Sequence, residues 1–450
     1  MAQPLLTRDQ AKALTDRVLG FATADETRVN LTAGWNGNTR FAGNEITTAG
    51  GTTDIRVTVT STVGKRRASL TTNVLDDEAL KRTVDQAQRL ARLAPEDSEF
   101  LPDPGPQQYA TVSAYATATA DLTAEARALA VDRVLAGVRE AGAATGTNTD
   151  DLFVAGFLEA SAGVSSAVAN SRGLFAYHPS TNVDLSVTVR TPDGTGSGYI
   201  AQGANDWAAL DPTSMGRRAA QKGISSRDPQ TLEPGRYTVI LEPQAVAGFI
   251  PLLRGALNAR SADEGRSPFS VAGGGTKVGQ KIADERVTIL SDPTDPELLT
   301  TPFDSEGLPN RGATWIRNGV LENLAYTRWW AEQKGKQATG GGGLKMLGTS
   351  RSLEDLIAGT ERGILVTRFW YIRSLEARTV MATGLTRDGT FLVEKGKITR
   401  SLKNFRWNDS PLLAINRIED IGRAERVSSG LVMPSLKIRD FNFTSLSDAV

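Results

Sequence analysis

A chain of 450 residues with 40% hydrophobic and 23% charged residues has the composition of a globular protein with more than one domain. Its 51 basic residues equal its 51 acidic residues, so charge gives no reason to expect nucleic acid or an anionic membrane as a partner. The absence of cysteine excludes disulfide bonds and thiol catalysis.

We expect neither a signal peptide nor a membrane-spanning segment in this chain. The N-terminal stretch MAQPLLTRDQAKAL lacks a basic region followed by an apolar core, so we expect no signal peptide. No apolar run approaches the ~20 residues that a bilayer-spanning helix needs. We therefore expect a chain without a membrane segment.

Residues 1–110 have the pattern of an α+β region. Thr7 and Gln10 form a capping box, which predicts the start of a helix. The clearest strand covers residues 54–63, where apolar and polar side chains alternate as in a strand with one buried face. The other elements predicted here are strands over 27–35, 40–47 and 66–72 and a helix over 76–93.

Residues 111–230 are predicted to form a central α/β region packed with the first. The four prolines of residues 95–106 predict an exposed, extended connection ahead of it. Residues 193–205 are rich in glycine and small polar residues, which predicts a mobile loop or a hairpin end. The predicted elements are helices over 124–140, capped by Thr123, and 213–222, and strands over 152–160, 163–170, 175–178 and 184–190.

Residues 231–450 are predicted to form a β-rich domain, with residues 227–235 as the boundary. Many short strands in one domain indicate a barrel or two packed sheets. Asn318-Gly319 and Lys395-Gly396 have the residue types of tight hairpin turns. The predicted strands are 236–241, 286–290, 313–316, 320–326, 363–370, 379–384, 390–394 and 397–402, with a short helix capped by Ser352 and Asp355.

The stretch 234–269 is predicted as a strand, an apolar helix from residue 243 and a polar loop. Pro251 should interrupt the helix because it cannot donate to the carbonyl four residues earlier. A metallopeptidase helix needs two imidazoles about one turn apart with a glutamate between them. This stretch contains no histidine, and its apolar positions have the spacing of a core-facing helix: Val246, Phe249, Ile250, Leu253 and Leu257.

Several segments resemble, in order, motifs of the TldD/PmbA family, once called modulators of DNA gyrase. They are RFAGNEIT, VANSRG, GRYTVILEP, TPFDSEGLP, WIRNGVLENLAYTRWWAEQKG, ATGGGG, GILVT, DGTFLVEKGKI and MPSLKI. The resemblance covers nearly the whole chain. In this family the TldD branch carries a His-Glu-x-x-x-His motif and a C-terminal cysteine that bind zinc, whereas the PmbA or TldE branch lacks them. FDSEG at residues 303–307 looks like the PmbA version of its segment.

The resemblance implies a metal-free subunit that needs no cofactor and is not catalytic alone. Its implied partner is a zinc-bearing TldD-like homologue in a cytoplasmic assembly that cleaves small or unfolded peptides. Glycines allow a close approach of peptide backbone, so we expect a peptide groove at two segments. Its candidate residues are Asp304, Ser305, Glu306, Gly307, Gly340, Gly341, Gly342 and Gly343. A phosphate loop is not expected, because Lys345 is neither preceded by glycine nor followed by serine or threonine.

Other interpretations of these residues remain open. The chain could be a stand-alone peptide-binding homodimer without enzymatic activity, or a metal-independent hydrolase, although no nucleophile–base pair is visible. A Ser-His-Asp set would have to use His178, which is otherwise a surface or hydrogen-bonded histidine. Asp304 and Glu306 could instead lie in a solvated turn. Trp329-Trp330 belongs either to the core or to an interface.

Overall fold

The computed structural model describes residues 5–148 and 151–447, so the first four residues of the N-terminal stretch lie outside it. The strands are β1 (Glu26–Ala42), β2 (Glu45–Val63), β3 (Arg66–Thr72), β4 (Phe153–Asn170), β5 (Phe175–Arg190), β6 (Ser197–Ala204), β7 (Gly235–Leu241), β8 (Ile289–Ser291), β9 (Ala313–Arg317), β10 (Val320–Leu321), β11 (Leu344–Met346), β12 (Arg362–Glu376), β13 (Met381–Glu394), β14 (Lys397–Ser401), β15 (Asn404–Asp409), β16 (Ile418–Ser428) and β17 (Leu431–Ser447). The helices are α1 (Arg8–Gly20), α2 (Asp77–Leu93), α3 (Thr117–Ala120), α4 (Ala124–Thr145), α5 (Pro212–Ser225), α6 (Pro243–Phe249), α7 (Leu253–Ala256), α8 (Ala259–Asp263), α9 (Arg328–Gln333), α10 (Leu353–Ala358) and α11 (Pro411–Ala414).

The N-terminal sheet is antiparallel throughout, in the order β3-β2-β1-β4-β5-β6. Two helix pairs pack on different parts of its long strands. Helices α1 and α2 bury apolar side chains against β1 and β2, and α4 and α5 do so against β4, β5 and β6. The expected capping box of Thr7 and Gln10 and the caps at Asp76 and Thr123 are all formed. These caps satisfy amide groups that the first helical turns leave free.

Among the described residues the second sheet has eleven strands, and part of it closes on itself. Strand β7 pairs with β12, β12 with β13, β13 with β15, β15 with β17, and β17 again with β7. Closure removes the open edges of these five strands, as in a small barrel. Four aromatic side chains pack inside: Phe249, Phe369, Trp407 and Phe441. The expected α+β fold with a barrel-like C-terminal part is therefore confirmed.

The apolar stretch after β7 follows the sequence prediction closely. Helix α6 ends at Phe249, a 3-10 turn covers Ile250–Leu252, and α7 begins at Leu253. The interruption expected from Pro251 is thus present. The two hairpin turns are also confirmed, since Asn318 and Lys395 have φ of 47° and 50° and each is followed by a glycine with positive φ.

Several predicted strand boundaries were wrong because neighbouring strands override local breaks. The segments 27–35, 40–47 and 54–63 belong to only two strands, β1 and β2, whose register places Gly37 opposite Gly51. Three further strands each join two segments that were predicted separately. They are β4 (152–160 and 163–170), β5 (175–178 and 184–190) and β13 (379–384 and 390–394). Continuous pairing satisfies the backbone across residues of low strand propensity. The strands predicted over 286–290 and 320–326 are shorter than expected, as β8 and β10.

Residues 193–196 form the hairpin end that was one of the two expectations for the segment 193–205, but most of the segment is a strand and not a mobile loop. A short turn leads into β6, which pairs with β5 along its whole length. The glycines permit close packing here, because a Cβ on Gly198 would lie 2.1 Å from the carbonyl oxygen of Ala219 in α5. Glycine within a strand thus indicates close approach of another backbone, which sequence alone does not distinguish from mobility.

The sequence predicts that the proline-rich connection 95–106 is exposed, but part of it is buried. Asp103 is 3% exposed, and its carboxylate lies 2.7 Å from Arg28 and 3.6 Å from Arg67. Burial is the largest influence on the pKa of Asp103 and raises it, while the two guanidinium groups act in the opposite direction. The connection is therefore anchored to the N-terminal sheet. Within the described ranges, no helix is long and apolar enough to cross a membrane.

The predicted domain boundary at residues 227–235 leads to a proteolysis prediction. We expect limited digestion of the native protein to cut first in that segment or in the turn at 193–196, because exposed loops are the usual sites of nicking. Mass spectrometry of the first fragments measures this. Digestion of the urea-unfolded chain is the control and should lose the selectivity. A first cut inside β7 or α6 would contradict the boundary.

Candidate functional site

A cavity of about 460 Å³ lies where the N-terminal sheet meets the C-terminal part of the chain. Strand β5 contributes His178 and Asn182, and the region of α7 and the 3-10 turn before it contributes Pro251 and Arg254. Ser180, Thr181 and Asn205 also line it, and the remaining residues lie in three segments: Leu299–Thr301, Gly342–Gly343 and Ser429–Leu431. Elements far apart in sequence therefore build one recess.

Gly342 and Gly343 hold fixed positions in this wall. The carbonyl oxygen of Gly342 accepts a hydrogen bond of 2.6 Å from the Arg254 guanidinium, and that of Gly343 accepts one of 2.6 Å from Ser291. Gly342 has φ of 92°, and a Cβ on Gly343 would lie 2.4 Å from the Leu298 side chain. Both positions thus favour glycine for reasons of backbone conformation or space.

The other two glycines of the cluster precede this wall and do not line the cavity. A Cβ on Gly340 would meet no atom within 4 Å, and one on Gly341 would come no closer than 3.8 Å to Asn310. Lys345, just beyond the cluster, pairs with Asp295 at 2.7 Å and Glu297 at 2.6 Å. Both carboxylates form ion pairs with the ammonium group, so Lys345 has structural partners.

His178 is buried, which corrects the expectation of a surface or hydrogen-bonded histidine. Only 3% of the residue is exposed, and its Nε2 has no hydrogen-bond partner among the described residues. Burial lowers the pKa of His178 to about 4, because removal from water disfavours the charged imidazolium. The ring is therefore neutral at pH 7, and its buried Nε2 is unpaired within a residue that lines the cavity.

Asp304 organises a turn that lies away from the cavity. Its Oδ1 accepts hydrogen bonds of 2.9 Å from the backbone amides of Glu306 and Leu308. Burial is the main cause that raises the pKa of Asp304, and the negative charge of Glu306 adds to it. Glu306 itself pairs with Arg328 at 3.2 Å. The two carboxylates are thus part of a hydrogen-bonded turn.

The tip of this turn docks on the N-terminal part of the chain. Tyr109 donates a hydrogen bond of 2.7 Å to the carbonyl oxygen of Gly307, and Asn30 donates one of 2.8 Å to that of Ser305. Gly307 has φ of 86°, and a Cβ there would lie 2.7 Å from Leu174. The structure therefore brings Gly342 and Gly343 into the cavity but not Asp304, Ser305, Glu306 or Gly307.

The adjacent tryptophans form a half-buried patch that joins core and surface. Their rings lie 5.7 Å apart, and the Arg260 guanidinium lies 5.5 Å from the Trp329 ring and 5.2 Å from the Trp330 ring. Trp330 also donates a hydrogen bond of 2.7 Å to Asp263 and packs on the C-terminal core. This arrangement is typical of aromatic rings with one apolar and one polar side.

The cavity does not have the donor set of a zinc site. Its described lining residues offer one imidazole and no carboxylate, whereas catalytic zinc needs three protein ligands. Within residues 5–148 and 151–447, no group of three or more His, Cys, Asp or Glu side chains could hold a metal ion. The stretch 234–269, which contains no histidine, contributes Pro251 and Arg254 to the lining.

Two family profiles match most of the chain. Residues 110–227 match the PmbA/TldA metallopeptidase central domain, and residues 234–445 match the PmbA/TldA metallopeptidase C-terminal domain. The chain belongs to the PmbA/TldD family. The resemblance seen in the sequence motifs is therefore confirmed.

Individual family members are distant in sequence. A metalloprotease of Methanothermobacter thermautotrophicus is 25% identical over 59% of this chain, and the match spans 62% of that relative's length. The metalloprotease PmbA of Escherichia coli O157:H7 is 25% identical over 81% of this chain and 80% of the relative.

Solved structures agree in fold. TldE from Thermococcus kodakarensis superposes with a TM-score of 0.82 at 19% identity, covering 96% of this chain and 99% of that one. A Thermotoga maritima protein described as a modulator of a DNA gyrase superposes with a TM-score of 0.81 at 18% identity, covering 96% and 100%. At this level of identity the likeness concerns the fold.

Sequence reasoning missed most of the cavity. The sequence indicated His178 as a possible triad member or a surface or hydrogen-bonded histidine, and it predicted no role for Asn182, Arg254 or Thr300. Arg254 was the one available signal, because it is a charged residue inside an otherwise apolar run. The others become neighbours only when the two sheets pack against each other.

Proposed function

We propose that this PmbA/TldD family chain is the metal-free subunit of a cytoplasmic peptidase assembly. In this proposal a zinc-bearing homologue hydrolyses small or unfolded peptides, and this chain contributes part of the substrate groove. The supporting observation is that a chain with the family's fold contains one histidine and no cysteine, so it cannot supply the imidazoles of the zinc motif. The groove proposal rests on the cavity at Gly342 and Gly343.

The proposed groove suits an extended peptide. Polar side chains and glycine backbone surround the cavity, and an extended chain can use its own backbone groups to bind such a surface. Binding through backbone groups gives affinity without strong dependence on peptide sequence. The loop that follows Thr301 in the cavity wall is also part of the proposed groove. It contains Asp304, Ser305, Glu306 and Gly307.

An exposed apolar arm is our candidate for the contact with the homologue. Trp370, Tyr371 and Leu375 near the β12–β13 hairpin are 46%, 57% and 54% exposed. Exposed apolar clusters of this kind mark interaction surfaces. Paralogous subunits could use equivalent patches across a pseudo-twofold axis, with at least about 1,200 Å² buried in a stable complex.

The test is co-purification of this chain with a zinc-bearing family member, followed by an assay of peptide cleavage. Complex formation together with chelator-sensitive cleavage supports the proposal. A homologue that is fully active alone and never associates with this chain would contradict it. A stand-alone peptide-binding homodimer would then be the better explanation.

The metal content of the isolated chain gives a separate prediction. We expect less than stoichiometric zinc after mild chelation, because the ligands of a catalytic site are missing. Inductively coupled plasma mass spectrometry measures the zinc, and a zinc-bearing family member treated in the same way is the control. About one tightly held zinc per chain would show that the ligand analysis is wrong.

A further inference from the structure

Arg254 gives the cavity a positive charge that no carboxylate balances. It is the only charged side chain among the described residues that line the cavity. In the described part of the chain it has no ion-pair partner, and its guanidinium donates a hydrogen bond to the Gly342 carbonyl oxygen. Desolvation lowers the pKa of Arg254, but a guanidinium remains charged at neutral pH. The cavity is therefore suited to an anionic group.

Three residues that line the cavity each have a buried polar atom with no hydrogen-bond partner among the described residues. These atoms are Nε2 of His178, Oδ1 of Asn182 and Oγ1 of Thr300. A buried polar atom without a partner is costly, so native proteins usually pair such atoms with protein, water or ligand. Their concentration around one recess points to a polar ligand.

The orientation of Asn182 defines what this ligand must offer. Its Nδ2 donates a hydrogen bond of 2.6 Å to Asp184, which leaves Oδ1 as the unpaired acceptor. A ligand that satisfies both groups therefore carries a hydrogen-bond donor as well as an anionic group. A fully deprotonated anion such as sulfate has no hydrogen to donate to Asn182, whereas the end of a peptide has a carboxylate next to a backbone amide.

We infer that this cavity binds the C-terminal carboxylate of an extended peptide, with Arg254 pairing to the carboxylate. The adjacent backbone N–H then faces the Asn182 oxygen, and Thr300 and His178 complete the polar contacts. This inference rests on the proposed peptide-handling function and names the end of the peptide that the chain holds. A guanidinium fits a carboxylate in two parallel hydrogen bonds, which gives geometric selectivity.

The experiment measures binding of three dye-labelled peptides to the isolated full chain by fluorescence anisotropy. The peptides are Ala-Ala-Ala-Ala with a free C-terminus, the same peptide with a C-terminal amide, and Ala-Ala-Glu-Ala with a C-terminal amide. We expect the free acid to bind roughly tenfold or more tightly than either amide, as for a hydrogen bond to a charged group. The Glu peptide separates a terminal carboxylate from a side-chain carboxylate.

Variants identify the site. Arg254→Gln should weaken binding of the free acid by roughly tenfold or more and leave the amide nearly unchanged, whereas Arg254→Lys should retain part of the preference. Arg89→Gln, on the exposed face of α2, is the matched control and should bind like the unaltered protein. Circular dichroism shows that each variant is folded. His178→Gln provides a second variant on the opposite wall and should also weaken binding.

Equal binding of acid and amide, absence of binding to all three peptides, or an unchanged preference in Arg254→Gln would each overturn the inference. Equal or tighter binding of the Glu amide would assign the site to side-chain carboxylates instead and would also overturn it. None of these results affects co-purification with a zinc-bearing homologue. Failure of that association, with the carboxylate preference intact, would instead remove the proposed subunit role.

Discussion

Mixed with its zinc-bearing homologue from the same organism, this chain should raise the cleavage of an unstructured peptide by orders of magnitude. The chain alone should be inactive because it lacks the ligands that activate a zinc-bound water. The homologue alone should be weakly active because half of the proposed groove is missing. Release of amino groups from the peptide, followed over time, measures the effect, and a chelator should abolish it.

An interface variant tests whether the effect depends on association. Leu375→Asp places a charge on the exposed apolar arm and should reduce both co-elution and cleavage, since an unpaired charge at an interface opposes binding. Leu446→Asp changes a leucine that is 36% exposed elsewhere on the surface and serves as the matched control. Strong activation without co-elution, or equal activation by both variants, would contradict the proposed contact.

The second large effect concerns the barrel core. Trp407→Ala should lower the free energy of unfolding by about 3–5 kcal/mol, the usual cost of removing a buried aromatic side chain. Trp407 is fully buried, and its ring lies 5.5 Å from Phe249, 4.7 Å from Phe369 and 5.9 Å from Phe441. Alanine would leave a cavity at the centre of this aromatic cluster. Urea-induced unfolding followed by circular dichroism measures the change.

Trp370→Ala is the control for this measurement. The Trp370 side chain is 46% exposed and contacts the guanidinium groups of Arg368 and Arg387 at 5.0 and 5.1 Å. Loss of such exposed contacts should cost about 1 kcal/mol or less. Similar destabilisation by the two substitutions would show that Trp407 does not hold the barrel together.

Local signals in the sequence identified features that depend on a few neighbouring residues. The capping box at Thr7 and Gln10, the interruption at Pro251 and the hairpin turn at Asn318 were predictable because each follows from local backbone chemistry. The lack of a zinc-ligand set was equally readable, since it depends on which residues are present. Alternating apolar residues likewise indicated part of β2, but not its full length.

Features that depend on distant pairing were decided by the tertiary structure. Strand β6 exists because β5 offers a pairing edge and because Gly198 lets α5 approach, neither of which the Gly-rich sequence reveals. The cavity required His178 from one sheet, Arg254 from a helix and Gly342 from a loop to converge. By itself, therefore, the sequence determined the local turns, the helix caps and the set of side chains available as zinc ligands. Packing of the two sheets decided which polar groups were buried together, because contacts between distant segments form only in the folded chain.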